Sequence, residues 1–589
     1  MVCRKAAEDL YPGAAGGLSR RSLLQAGAWA GLAAASGWAP GERFGRCGRA
    51  AALPAPPDFP GSIELYQQAY RNWSGEIRIP DLWTAAPRCP EEVEAIVNWA
   101  HRRGWRVRPK GHGHGWSPLL LPRGSRGERY LLVDTTRWLD GIRIERNGTP
   151  ATVTAQAGIT LEALLEQLGW QGLGFAATPA PGEPTLGGML AVDAHGSGIP
   201  ALAEPAVPGK GFGSLCNAVL ALTAVVWDGG RYRLRAFTRD DPAIRPLLCH
   251  AGRAFVTEAT LQVGADQNLR CRSFFDIPAG ELFAAPGRAG SRSFQAWVDA
   301  CGRAEAIWFP FTDQPWLKVW SPEPAQPAAS LRLDAPYAYT FANWVTPAED
   351  SFIDRLVRGH VEDTPAFQRL EVAAAISGLA VTRTWDLWGP SRYTTLYVKP
   401  STLRLAENGY AVLAARQDIQ RVVSEFCAAY RELLARYQAA GRFPMNGPIE
   451  IRVTGLDRAG EVLLPGAQEP RLSALRPRPD RPEWDCAVWL NALTFPGTPG
   501  ENEFKTELEG WVLGNYTEPY ACVRVEWAKG WAFTGQGAWT SPDRLGRHVP
   551  ASFDRGQPPG DGWASALAAL DRLDPHRVFS NPFLDRLMV

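Results

Sequence analysis

The chain has 589 residues, 45% hydrophobic and 21% charged, with a net charge of +1 and no long basic run. This composition supplies ample material for buried cores and excludes nucleic acid as an expected partner. No stretch of about 18 strongly apolar residues occurs to span a bilayer in the mature chain, and the ten cysteines contain no CxxC, so neither a metal site nor a disulfide framework is expected, although one or two bridges stay open.

At the front, Ser19-Arg20-Arg21-Ser22-Leu23-Leu24 precedes an alanine- and glycine-rich run through Ala35. Paired arginines before a short, weakly apolar segment resemble a twin-arginine export signal, with Ala33-x-Ala35 and Ala50-x-Ala52 as cleavage candidates. Residues 1–52 are set aside as signal and linker, and an exported protein, periplasmic or secreted, is expected.

The first folded domain is expected over 53–270. Pro90 opens a helix whose positive end suits Glu91 and Glu92; Val93, Ile96, Val97 and Ala100 share one face, and Gly104 stops it. The extended run 105–109 then delivers Lys110-Gly-His-Gly-His-Gly-Trp-Ser-Pro118. Glycines 111, 113 and 115 let the backbone approach a phosphate closely, and a histidine in that loop lies where a bound dinucleotide would be. Thr160 caps a second helix carrying Leu161, Leu164, Leu165 and Leu168. A second glycine-rich segment, 185–198, contains Gly187, Gly188, Asp193, His195, Gly196 and Gly198, and residues 220–227 and 255–263 read as strands. GxGxxG and GxxxxGK[ST] are both missing, which disfavours ordinary Rossmann and P-loop sites.

Taken together, these glycine clusters in this order resemble the FAD-binding domain of the vanillyl-alcohol oxidase family. The resemblance implies FAD held between two α+β subdomains (the PCMH type) by Gly111, His112, Gly113, Gly115, Trp116, Gly187, Gly188, Asp193, His195, Gly196 and Gly198. His114 matches the histidine that bonds covalently to the flavin; His112 is its local competitor. His195 either contacts flavin or satisfies a hydrogen bond beside Gly196.

Beyond residue 270 aromatic, strand-like runs take over: 14 of the 24 tryptophans lie between Trp297 and Trp563. They fit a Trp-rich core of a large antiparallel sheet better than a pocket for a flat apolar ligand. Ile449-Glu450-Ile451-Arg452-Val453 alternates, placing Glu450 and Arg452 on one strand face. Exposed, they are a solvated ion pair; buried, they are a costly and therefore functional one. Glu305 precedes the apolar run 306–309 and alone reads as a strand-edge carboxylate, while Asn491, within 489–493, needs partners if buried.

The segments 302–311, 449–453 and 489–500, with 526–531 and 574–579, are similar to bacterial type II cholesterol oxidases, the covalent-FAD members. This resemblance covers the chain from about residue 60 to its end. It implies an α+β protein with a mixed α/β substrate-binding domain built on a large antiparallel sheet over 271–560, and a segment 561–589 returning to the FAD domain. Glu305, Glu450, Arg452 and Asn491 match the polar cluster at the flavin-facing end of the steroid pocket. The implied activity is oxidation of the 3β-hydroxyl of cholesterol or a related sterol by molecular oxygen. It yields hydrogen peroxide and a 3-ketosteroid, with 5-ene to 4-ene isomerisation and Glu305 or Glu450 as base. The alternative is an FAD-linked oxidase or dehydrogenase of another bulky apolar alcohol. Transient membrane-surface contact follows from where sterols reside.

Overall fold

The computed structural model describes residues 53–589, apart from 127–128, 149, 206, 208, 338, 340–346 and 400–401. The export signal expected within 1–52 lies outside the described residues. Three sheets carry the fold.

The first sheet holds β1 (Glu64–Arg71), β2 (Arg78–Ala86), β3 (Arg106–Lys110) and β4 (Tyr130–Asp134) in the order β1-β2-β4-β3. Helix α1 (Pro90–Arg103) joins β2 to β3, with Pro90 in its first turn and Gly104 leaving it in the left-handed region at φ 66°. It buries Val93, Ile96, Val97 and Ala100, so the 3.6-residue spacing marks its packed face. The second sheet is antiparallel: β5 (Ile142–Glu145), β6 (Ala151–Gln156), β7 (Leu173–Gly174), β8 (Val219–Asp228), β9 (Arg231–Thr238) and β10 (Phe255–Ala265), ordered β5-β6-β10-β8-β9 with β7 beside β10. Helix α2 (Leu161–Trp170) starts at Thr160, whose hydroxyl accepts the Ala163 N–H at 3.2 Å. Helix α3 (Leu186–Ala191) carries Gly187 and Gly188.

Nine strands form the third sheet: β11 (Asn268–Phe274), β12 (Arg303–Trp308), β13 (Trp316–Pro322), β14 (Leu331–Arg332), β15 (Asp386–Pro390), β16 (Ala406–Ala414), β17 (Ile449–Gly455), β18 (Cys486–Thr494) and β19 (Ala521–Val525). Their order is β14-β15-β11-β13-β12-β17-β18-β16-β19, antiparallel except for β14 with β15. The chain passes from the second sheet to the third at residues 266–267.

One face of this sheet, with Ala306, Ile449, Ile451, Val488 and Leu490, packs on the helices α4 (Phe294–Cys301) and α5 (Ile419–Ala439). Because strand residues alternate, the other face must take the intervening side chains. Around β16 and β18 it packs on the 456–484 segment through Leu456, Leu475 and Trp484, and all nine residues of both strands are buried. Of the fourteen C-terminal tryptophans, only Trp320 lines the large cavity among the described residues; Trp308, Trp484, Trp489, Trp527 and Trp531 are core.

The C-terminal residues lie against the first two sheets. Val578 C=O accepts the Val107 N–H at 2.9 Å, Asn581 donates to the carbonyl of Leu119 at 3.0 Å, and Asp574 accepts the Tyr232 hydroxyl at 2.5 Å. None of the eight described cysteines is joined in a disulfide, and seven of them are buried.

Candidate active site at the interface of the three sheets

A cavity of about 400 Å³ runs between the Gly111–Trp116 loop, the 176–197 segment and the polar face of the third sheet. Gly111, His112, Gly113, His114, Gly115, Trp116, Gly187, Gly188, His195 and Gly196 all line it. The glycines do two different jobs. At Gly111 a Cβ would lie 2.2 Å from Thr185 Oγ1, and at Gly196 2.6 Å from the backbone of Thr178, so these two permit loop against loop. At Gly115 a Cβ would meet nothing within 4 Å, and Gly113 turns at φ 77°, so this part of the loop leaves an open cradle.

Two expected members of the set face elsewhere. Asp193 is fully buried but does not line the cavity: its carboxylate accepts the Ala474 N–H at 2.6 Å and the Ser473 hydroxyl at 3.2 Å, stapling the 185–198 segment to the chain at 473–474. Burial, with Asp457 nearby, pushes its pKa well up. Gly198 also lies off the cavity; its N–H donates to Val453 C=O at 2.6 Å, and a Cβ there would meet the Arg303 side chain at 2.7 Å.

His114 and His112 part company. His112 is exposed, whereas the His114 ring packs on Trp73 with centroids 3.8 Å apart, and its buried Nδ1 has no partner among the described residues. Burial, followed by the charges of Lys529 and Arg404, lowers its pKa to about 3, so the imidazole is neutral. His195 stacks on Trp489 at 3.7 Å, with Nδ1 3.0 Å from Gly196 C=O and Nε2 3.7 Å from Glu526.

Strand register builds the polar wall. Lys318 on β13 stands opposite Glu305 on β12, which stands opposite Arg452 on β17; Glu450 on β17 stands opposite Asn491 on β18, which stands opposite Gly409 on β16. Directly opposed residues share a sheet face, and Glu450 and Arg452 lie two apart on β17, so two adjoining rows on one face together cross five strands. Arg452 donates through Nε to Glu305 at 2.7 Å and through Nη2 to Glu450. Glu305 is fully buried in a central strand; it also accepts from the Tyr397 hydroxyl at 2.6 Å and from Lys318 Nζ at 3.3 Å. Burial raises its pKa, but Lys318, Arg452 and Tyr397 outweigh that and hold it at about 2. Arg452 is likewise pushed well above its ordinary value, its burial outweighed by Glu450 and Glu305.

Glu450 and Arg452 line the cavity; Glu305 and Asn491 lie one layer behind it. Asn491 donates to Glu526 at 2.7 Å.

Several groups at this wall carry no signal in the sequence. Glu407 and Glu526 are buried, line the cavity and flank Lys529, which donates to Glu407 at 2.5 Å. Glu526 belongs to the run 526–531 read above for resemblance alone. Lys318 is caged by Tyr397, with Nζ 3.0 Å from the ring centroid, and by Trp320 at 5.0 Å. Gly409 leaves the room these side chains fill: a Cβ would stand 2.3 Å from Glu526 Oε2 and 2.7 Å from Asn491 Nδ2, so one of them would have to move. Gly409→Ala is therefore expected to lower stability by about 1–3 kcal/mol and turnover at least about tenfold. A thermal melt and a peroxide assay check this, and wild-type values in both would mean that the wall yields freely.

Residues 268–589 match the family model described as cholesterol oxidase, substrate-binding, and residues 82–235 match an FAD-binding domain. Among solved structures, a solvent-stable cholesterol oxidase superposes with a TM-score of 0.90 at 50% identity, covering 91% of this chain and 100% of that one. The cholesterol oxidase from Brevibacterium sterolicum does so with 0.90 at 43%, covering 92% and 100%. The chain spans only about a quarter of the length of the curated relatives it matches. The mitochondrial L-galactono-1,4-lactone dehydrogenase of Arabidopsis thaliana is 28% identical over 24% of this chain and 22% of its own length. The D-lactate dehydrogenase of Archaeoglobus fulgidus is 30% identical over 24% of this chain and 28% of its own. The open glycine cradle, the unpartnered His114 Nδ1 and the cavity between domains fit a flavin dinucleotide, and this chain belongs to the cholesterol oxidase family, an FAD-binding domain joined to a cholesterol oxidase substrate-binding domain.

Proposed function

We propose that the cavity oxidises the 3β-hydroxyl of cholesterol or a related sterol, with molecular oxygen as final acceptor, to give a 3-ketosteroid and hydrogen peroxide, followed by 5-ene to 4-ene isomerisation. The observation that carries this is the Glu450–Arg452 pair, standing at a cavity whose lining is mainly apolar. An ion pair placed there costs desolvation and is retained for chemistry. FAD supplies the two-electron acceptor for the carbinol carbon and the donor to oxygen.

The chain's own groups do the rest. The apolar lining takes the steroid rings and excludes water. Glu450 accepts the hydroxyl proton, and Arg452 orients the oxygen and stabilises its developing negative charge. Glu305 is not that base: it is held as an anion at about 2 and lies behind the cavity wall. It serves to keep Arg452 charged and aimed, and Lys318 and Tyr397 keep Glu305 in place. Asn491 fixes Glu526 beside His195.

His114, half-buried, neutral and with Nδ1 free, is the covalent attachment residue; its exposed neighbour His112 is not. The paired arginines at 20–21 direct export. Leu403, exposed at the cavity rim, makes transient contact with the membrane that holds the substrate. No helix among the described residues is long and apolar enough to cross a membrane.

Purified yellow protein given cholesterol in air is expected to raise peroxide and the ultraviolet band of a conjugated enone together. Neither signal rising from flavin-loaded protein would remove cholesterol as substrate.

A further inference from the structure

Glu407 has no part in the oxidation just described, yet it is the carboxylate of this wall with the greatest freedom to carry a proton. It stands on β16 two residues from Gly409 and therefore on the same face as Asn491 and Glu450. It lines the cavity and is 5% exposed. One oxygen accepts from Lys529 Nζ, which itself lies 3.6 Å over the Trp116 ring; the other, Oε1, is buried without a partner among the described residues.

The other carboxylates of the wall are committed. Glu305 is held by Lys318, Arg452 and Tyr397, Glu450 by Arg452, and Glu526 by Asn491, with His195 and Lys529 beside it. Burial raises the Glu407 pKa to about 7, helped by Glu450 and Glu526 and opposed by Lys529 and Arg452. A buried carboxylate in that range can both take and return a proton at neutral pH.

We propose that Glu407 is the proton carrier of the isomerisation, moving a proton from C4 to C6 of the 5-en-3-one. The inference rests on the sterol reading of the same cavity. The C4–H bond breaks as the carboxylate takes the proton; its electron pair forms C3=C4 and the C3=O pair moves to the oxygen. The same proton is then given to C6: C3=O re-forms, the C3=C4 pair becomes C4=C5, and the C5=C6 pair closes the new C6–H bond. Nothing is oxidised and nothing leaves, so no co-reactant is needed. Negative charge on the 3-oxygen between the two transfers is stabilised by Arg452. Lys529 is a positioning residue: it keeps Glu407 ionised and turned toward the cavity.

The test supplies the unconjugated 5-en-3-one directly to flavin-loaded enzyme without oxygen, following the enone band, and separately supplies sterol in air, following peroxide. Glu407→Gln is expected to slow enone formation about a hundredfold or more and peroxide formation by far less, so that unconjugated ketone accumulates. Wild-type isomerisation is expected to rise with pH through about 7 and then level off, because the carrier must start deprotonated.

An unchanged ratio of enone to peroxide in Glu407→Gln would overturn the assignment, as would a wild-type rate flat across about pH 6–8. Wild type unable to convert the 5-en-3-one, while still making peroxide from sterol, would overturn the proposal and leave the oxidase reading standing. No peroxide from sterol at all would remove both. Should Glu407→Gln fail to fold, Glu407→Asp decides: a slower isomerisation with the same rise in pH supports the role, and a wild-type ratio refutes it.

Discussion

Replacing Arg452 by alanine is expected to lower sterol turnover about a hundredfold to a thousandfold while flavin content per protein stays near that of wild type. The guanidinium bridges two carboxylates, Glu305 through Nε and Glu450 through Nη2. Its loss removes the charge proposed to meet the substrate oxygen and takes from Glu450 the cation it pairs with at the cavity. Breaking a buried pair from one side costs about 3–5 kcal/mol, reduced here because Glu305 keeps Lys318 and Tyr397. Arg452→Lys is expected to recover little, since an ammonium cannot span both carboxylates as the planar fork does.

The acid limb of stability should change as well. Glu305 sits at about 2 against an ordinary value of 4.5, so its ion pairs contribute fully above about pH 4.5 and fade as pH falls toward 2. Removing Arg452 weakens that dependence. Peroxide kinetics, flavin absorbance and acid titration of unfolding check these three effects, and turnover within about threefold of wild type would take Arg452 out of the chemistry.

Replacing His114 by alanine is expected to abolish flavin retained by acid-precipitated protein while leaving FAD bound non-covalently to the native fold. In the proposed attachment the neutral imidazole, poised on Trp73 with Nδ1 unpartnered among the described residues, would be the nucleophile. The rest of the cavity wall, including the open loop at Gly113 and Gly115, is untouched by the substitution. Flavin fluorescence on a denaturing gel reads the bond directly. Flavin still co-migrating with the His114→Ala chain would refute the assignment and turn attention to His112.

Much of the first domain was legible because its signals are local. Pro90, the acidic first turn and Gly104 delimit α1, Thr160 caps α2, and the glycine spacing at 111–115 announces a close-approach loop before any partner is known. Alternation in 449–453 placed Glu450 and Arg452 on one face for the same reason: a strand's period is a property of the strand alone.

Whether that face is solvated or buried is not local, and there sequence reasoning misplaced residues. Glu305 reads as a strand-edge carboxylate because what buries it, β13 and β17, comes from residues 316–322 and 449–455. Asp193 reads as part of a cofactor loop because its partners, Ser473 and Ala474, lie some 280 residues away. Glu407 stands in the plain run Ala406-Glu407-Asn408-Gly409, and its cation is Lys529.

The sequence by itself determined the helix ends, the strand faces, the glycine-histidine loop and the likeness to a flavin-dependent sterol oxidase. The tertiary structure decided which carboxylate meets the cavity, which is locked as an anion behind it and which keeps a free oxygen. Those differences come from burial and from charges brought together by the register of a nine-stranded sheet, and strand register is set by the packing of the whole sheet, not by any one segment.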